Sequence, residues 1–253
     1  MIPVRRAAID CLSSVLYASV KADVVLDAAL RQVHANERGL LHELVYGCLR
    51  RFYSLEADFS RFCKSKPDPK VQCALLAGSY QIRHMRIPSH AAVSETVTAI
   101  AGLEPKAKGF VNAVLRRVAG SEAPAKLKPH QRAELPKWMY SNWRDAFGAE
   151  TVQQFCQALQ QPPSLCLAVF TDRNTWIAQV QKMGIAAEAG ELSPYAVLLP
   201  AGTDVVALPG FDDGVFTVMD QAAQAAVLAL NPVKEPALIV DLCAAPGGKS
   251  SLI

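Results

Sequence analysis

Residues 238–250 read LIVDLCAAPGGKS, an apolar run followed by two adjacent glycines, a lysine and a serine. Glycines at the end of a strand let backbone N–H groups approach a ligand with no Cβ in the way, and the N–H groups that open the next helix attract anions. Strand, glycine turn and helix start together suggest nucleotide chemistry, and the question is which nucleotide. A Walker loop that grips phosphate needs G-x-x-x-x-G-K-[ST]. Counting back from Gly248, Lys249 and Ser250, its first glycine falls on Cys243, so that pattern fails. The dinucleotide pattern G-x-G-x-x-G fails as well, because the two glycines are adjacent. A turn with no ligand is the plain alternative. It suits a lone Gly-Gly better than a block of ten residues.

Little else in the chain has the spacing of a chemical site. The seven cysteines are odd in number and contain no C-x-x-C pair, which argues against a disulfide framework and a zinc site. Cys11, Cys48 and Cys73 sit in apolar helical patterns and read as core. The five histidines show no ligand spacing, so no metal is expected. The start, MIPVRRAAIDCL, places Asp10 where a signal peptide would have its apolar core. No apolar run reaches the roughly 20 residues of a membrane span. A reduced, cytoplasmic protein is the expectation.

The elements around the motif divide by charge. Residues 1–130 hold 19 Lys and Arg against 11 Asp and Glu, a balance of +8; residues 131–253 hold 7 against 12, a balance of −5. A basic half joined to an acidic half points to a polyanionic partner for the first half, or else to solvated helix faces. Apolar residues recur at helical spacing through the basic half: Ile9, Leu12, Val15 and Leu16, then Val25, Leu26, Leu30 and Val33 behind Asp23 as a cap. The third pattern, from Leu41 to Phe62, is the longest and ends at KPDPK; further helices are expected over 71–84, 90–102 and 107–119. Arg50, Arg51, Arg116 and Arg117 cluster at helix positions where they could meet phosphate or simply complement a helix dipole.

The Pro-rich stretch 121–137 reads as a linker. A helical pair follows, and then short strands, LCLAVF and YAVLL, around a helix near TWIAQVQKMG, an α+β pattern over roughly 163–208. GVFTVMD reads as a strand, QAAQAAVLAL as a helix ended by Asn231-Pro232, and Ala237–Leu242 as a buried strand entering the glycine motif.

DLCAAPGGKS resembles the S-adenosylmethionine-binding motif of the RNA cytosine-C5 methyltransferases. FTVMDQAAQ resembles the strand and helix that precede it in those enzymes. LLHELVYGCLRRFYSLE and RIPSHAAVSETV…KGFVNAVLRR resemble the NusB-like RNA-binding domain fused to bacterial members acting on small-subunit (16S) rRNA, the Sun/Fmu (RsmB) family. The likeness runs from Val4 to Ile253. It implies S-adenosyl-L-methionine as cofactor, small-subunit ribosomal RNA as partner, and Cys243, Ala244, Ala245, Pro246, Gly247, Gly248 and Lys249 as cofactor-binding residues. Lys249 could hold the methionine carboxylate, hold an RNA phosphate, or cap the loop. The organisation expected is an all-α NusB-like helical domain over 1–125, a linker and small α+β subdomain over 126–210, and the truncated start of an α/β Rossmann-like methyltransferase domain over 211–253.

In the family resembled, a cysteine thiolate adds to C6 of cytosine and makes C5 nucleophilic toward the sulfonium methyl group, and a second cysteine helps release the product. Those cysteines lie in Pro-Cys and Thr-Cys motifs downstream of the cofactor loop. Neither dipeptide occurs in residues 1–253. Cys243 belongs to the loop and is not the nucleophile, so no catalytic residue is assigned in this chain, which by itself is expected to be inactive. Two expectations result: an rRNA cytosine-C5 methyltransferase represented by its RNA-binding and cofactor-entry portions, or a non-catalytic NusB-like RNA-binding module.

Overall fold

The computed structural model describes residues 1–161, 163–230 and 238–253, which divide into two compact units, Met1–Gln160 and Gln161–Ile253. The first unit is entirely helical. It runs α1 (Val4–Tyr17), α2 (Ala22–Leu30), α3 (Arg38–Arg50), α4 (Phe52–Ser60), α5 (Pro69–His84), α6 (Ser89–Ala101), α7 (Lys108–Ala119), α8 (Pro129–Arg132), α9 (Lys137–Phe147) and α10 (Ala149–Leu159). α5 is its centre. Val71 to Gln81 are buried without a break, so this helix is covered all round and not along one stripe. α1, α3, α4, α6 and α7 pack about it. Two glycines permit the close crossings: a Cβ on Gly78 would lie 2.5 Å from Leu115 of α7, and one on Gly47 of α3 would overlap the Tyr80 ring. The buried Gln81 amide joins three helices, donating to Ala77 O (2.9 Å) and Thr96 Oγ1 (3.1 Å) while accepting from Arg5 Nε (3.1 Å).

The pattern from Leu41 to Phe62, expected as one helix, is two. The chain breaks at Arg51, whose N–H still reaches Gly47 O at 3.0 Å. The N–H groups of Tyr53 and Ser54 that the break exposes are taken up by Glu134 Oε2, at 2.8 and 3.2 Å. A carboxylate from far along the chain thus caps α4, which local spacing cannot reveal. Burial pushes the Glu134 carboxyl above its ordinary pKa, against the pull of those two N–H groups. Asp23 is not the cap of α2. Lys21 holds that position, and Asp23 sits in the first turn, accepting from the Val24 N–H at 2.9 Å.

The end of α7 is fastened by charge. Asp58, only 2% exposed, accepts from Arg61 Nη2 (2.6 Å) and from Arg83 Nε (2.6 Å) and Nη2 (3.3 Å). The same guanidinium groups donate to Val118 O, Ser121 O and Glu122 O, carbonyls at and beyond the helix terminus, at 2.6–2.9 Å. Leu135, Val152 and Cys156 form a separate small core beneath α9 and α10.

The second unit is α+β, in keeping with the alternation of its sequence. It runs β1 (Leu165–Val169), α11 (Arg173–Lys182), β2 (Glu188–Ala189), β3 (Ala196–Leu199), β4 (Phe216–Val218) and α12 (Gln221–Ala229). Its antiparallel sheet has the order β2-β3-β1-β4, with Leu167 opposite Val197 on one side and Val218 on the other. Leu167, Val169, Val197, Leu199 and Phe216 meet Trp176 and Val180 of α11 in its core. The Trp176 indole N–H is satisfied by Pro209 O at 3.0 Å. Asp172 and Asp220 cap the two helices, accepting from the N–H groups of Thr175 and Ala222 at 2.8 Å each.

Two expectations for the last stretch need correction. Phe216–Val218 was assigned to the start of a Rossmann-like sheet, but it pairs antiparallel with β1 of the α+β sheet. The buried strand Ala237–Leu242 does not form over its described part, 238–242; Leu238 and Leu242 are 93% and 90% exposed. A strand is held by its neighbours, and among the described residues none pairs with this segment. Ala237 and the helix stop Asn231-Pro232 lie outside the described residues.

Candidate cofactor loop and nucleic-acid face

The glycine motif folds as a series of short turns at 242–243, 245–246 and 248–249. Asp241 is its fastener: Oδ1 accepts from the Cys243 N–H at 3.0 Å and Oδ2 from Ser250 Oγ at 2.6 Å, closing the loop around Ala244 to Lys249. Those bonds, with the Lys249 charge nearby, hold the Asp241 carboxyl below its ordinary pKa. The spacing argument passed over this residue, although an acid just before a glycine turn was a usable signal. Ala245–Pro246 is a cis peptide. Gly247 has φ +102°, in the left-handed region where a side chain would be strained. A Cβ on Gly248 would meet nothing within 4 Å, so the backbone here is open to a ligand. The 3-10 turn Ser250–Leu252 follows, with Ser251 N–H bonded to Gly247 O at 2.9 Å. Leu252 packs beside Ala168, Met219 and Val227 of the same unit. Cys243, Ala244, Ala245, Pro246 and Lys249 are exposed, with Gly247 and Gly248 partly covered.

Cys243 is also the one exposed cysteine. Burial pushes the Cys11 and Cys73 thiols up to about 11 and about 12, and that of Cys48 well above its ordinary range. Cys63, Cys156 and Cys166 are raised by the same cause. Thiolate is the reactive form, so a thiol reagent at about pH 8 is expected to modify one cysteine quickly in the native protein and the others only on unfolding. Cys243→Ala should abolish the fast phase. Persistence of that phase in the variant would show that another thiol is open.

The four candidate arginines do not form one set. Arg51 Nη1 is bound to Gln160 Oε1 at 2.6 Å. The Arg117 guanidinium lies 5.7 Å from the centroid of the Phe62 ring, which Arg61 also faces at 4.6 Å. Arg50 is half-buried at the end of α3. Arg116 is exposed and lines a groove of about 680 Å³ between α6 and α7, together with Lys108, Asn112 and His90. Lys108, Asn112 and Arg116 recur every four residues, a helical stripe that was legible once the helix was known. Among the described residues no three His, Cys, Asp or Glu side chains gather as a metal site, and no helix is long and apolar enough to cross a membrane.

The NusB family matches residues 3–120, and the ferredoxin-like domain described as Methyltr_RsmF/B-like matches residues 135–206. A protein of Pseudomonas putida named ribosomal RNA small subunit methyltransferase B is 36% identical, over 97% of this chain and 58% of its own length. Proteins of that name from Klebsiella pneumoniae and Vibrio cholerae are 33% and 34% identical, over 100% and 99% of this chain and 60% of their own. The chain thus spans about 58 to 60% of the length of these relatives. The crystal structure of PH0851 superposes on the whole chain with a TM-score of 0.69 at 17% identity, covering 60% of that protein, a likeness of fold. With a NusB domain followed by an RsmF/B-type ferredoxin-like domain, and with identity spread over nearly its whole length, the chain belongs to the Sun/Fmu (RsmB) family, whose curated members are named small-subunit ribosomal RNA methyltransferases.

Proposed function

We propose that this chain serves the S-adenosylmethionine-dependent methylation of cytosine C5 in small-subunit rRNA, with its helical unit binding the RNA and residues 243–249 forming the first wall of the cofactor site. One observation carries the reading. The AAPGGK turn is fastened at both ends by Asp241, and a Cβ at either of its glycines would meet nothing within 4 Å, so the space over this main chain is open to a ligand. Gly247 and Gly248 would let the methionine moiety approach the main chain closely, and Lys249 would hold an anionic end of it or an RNA phosphate. The cofactor supplies an electrophilic methyl group. The residues of this chain position and enclose. The site residues, cofactor and cytosine chemistry come from the family likeness, as does a cytoplasmic location for a protein that works on the ribosome. A second reading, a non-catalytic RNA-binding module, would rest on the NusB match over residues 3–120 alone.

Mapping 5-methylcytosine in small-subunit rRNA of the source organism tests the proposal. Deleting the gene that encodes this chain is expected to remove the mark from one position, and residues 1–253 expressed alone are expected not to restore it. An unchanged methylation map would refute the enzymatic reading and leave the binding module. Restoration by residues 1–253 would mean that a nucleophile has been overlooked.

A further inference from the structure

We propose that the groove between α6 and α7 holds a single strand of RNA by its backbone, with Lys108 and Arg116 pairing two phosphates. This rests on the RNA-binding reading above and adds the place and the groups. Lys108, Asn112 and Arg116 stand four residues apart on α7, so they share one face along about 12 Å of helix. The groove they border has a volume of about 680 Å³, within the range of pockets that enclose nucleotide-sized groups. No Asp or Glu lines it, so the charged side chains on its walls are the cations Lys108 and Arg116. No ion pair among the described residues uses Lys108 or Arg116, in contrast to Arg61 and Arg83, which are committed to Asp58.

The neutral groups favour RNA over an acidic peptide. Lysine pairs with phosphate as a point charge and arginine as a fork. Asn112 stands between them with donors and an acceptor, matching a ribose 2′-hydroxyl. Val93 and the His90 ring on the α6 wall give an apolar floor and a flat surface for an unstacked base. An acidic peptide would use the two cations and leave that floor without a role. Gly109 lies in the same wall, where a Cβ would meet nothing within 4 Å, so a side chain added there enters the groove and not the core.

The experiment uses the full chain and a short, unstructured, labelled RNA, with affinity measured from about 50 to 200 mM salt. The double variant Lys108→Gln/Arg116→Gln is expected to bind about tenfold more weakly at the low-salt end and to reduce the log–log salt slope by about 1.4, from two lost phosphates at ~0.7 each. Gly109→Glu, a second route to the same site, should weaken binding comparably, while Gly109→Ala and the loop pair Lys64→Gln/Lys66→Gln should bind as the parent does. Thermal melting of every variant confirms that it folds. Parent-like affinity and slope in both Lys108→Gln/Arg116→Gln and Gly109→Glu would overturn the groove while leaving RNA binding intact. Failure of the parent chain itself to bind would overturn both readings. Tighter binding of an Asp/Glu-rich peptide than of RNA at the same salt would assign the groove to a protein, and would overturn the proposal as well.

Discussion

Replacing Asp58 by alanine is expected to lower the stability of the helical unit by about 3 to 5 kcal/mol, the usual cost of breaking one partner out of a buried ion pair. The carboxylate is nearly sealed from water, with its side chain 3% exposed, and it takes three hydrogen bonds from two guanidinium groups. Without it, Arg83, whose side chain is 17% exposed, would stay beneath the end of α7 with no counter-charge. The carbonyls of Val118 and Ser121 would remain as its acceptors but would not balance its charge. Urea unfolding followed by helical circular dichroism measures the effect, and the midpoint should fall by at least about 1 M for a typical slope. Asp145→Ala supplies the contrast. Its pair with Arg144 is exposed on both sides and screened by water, so that variant should leave the urea midpoint where it is. A loss below about 1 kcal/mol for Asp58→Ala would mean that α7 is held by packing alone.

The same cluster marks what the sequence could and could not disclose. Helical periodicity was enough to place α1, α2, α6 and α7, because each turns apolar residues to one core at a spacing of three or four, while α5, buried all round, showed as a long apolar run between KPDPK and RIPS. It ran α3 and α4 together for the same reason: both bury their apolar faces in that core, so the period continues across the break. The break depends on Glu134, some eighty positions away, and no local pattern contains it. The α+β alternation from Leu165 to Leu199 was equally readable, since strand and helix periods differ. The partner of Phe216–Val218 was not, because an isolated apolar triplet carries no record of which strand will accept it. At the loop, the glycines spoke directly and Asp241 did not. At the groove, charge balance singled out the first half of the chain, but only the fold separates Arg116, which faces an open groove, from Arg51, whose guanidinium is tied to Gln160.

Affinity for unmodified small-subunit rRNA should depend steeply on salt. Cations that neutralise phosphates release condensed counterions, so log affinity falls linearly with log salt. Residues 1–130 carry the +8 balance that would supply those contacts, and Lys108 and Arg116 border a groove with no acid to compete. With one contact beyond those two, the slope is about 2, which amounts to a loss of about twentyfold between about 50 and 200 mM salt. Titrating the full chain against that rRNA across this range is the most direct measurement. The result expected is saturable binding that weakens by about twentyfold or more. Binding that is absent at the lowest salt, or that holds constant across the range, would contradict an RNA-binding role for the helical unit.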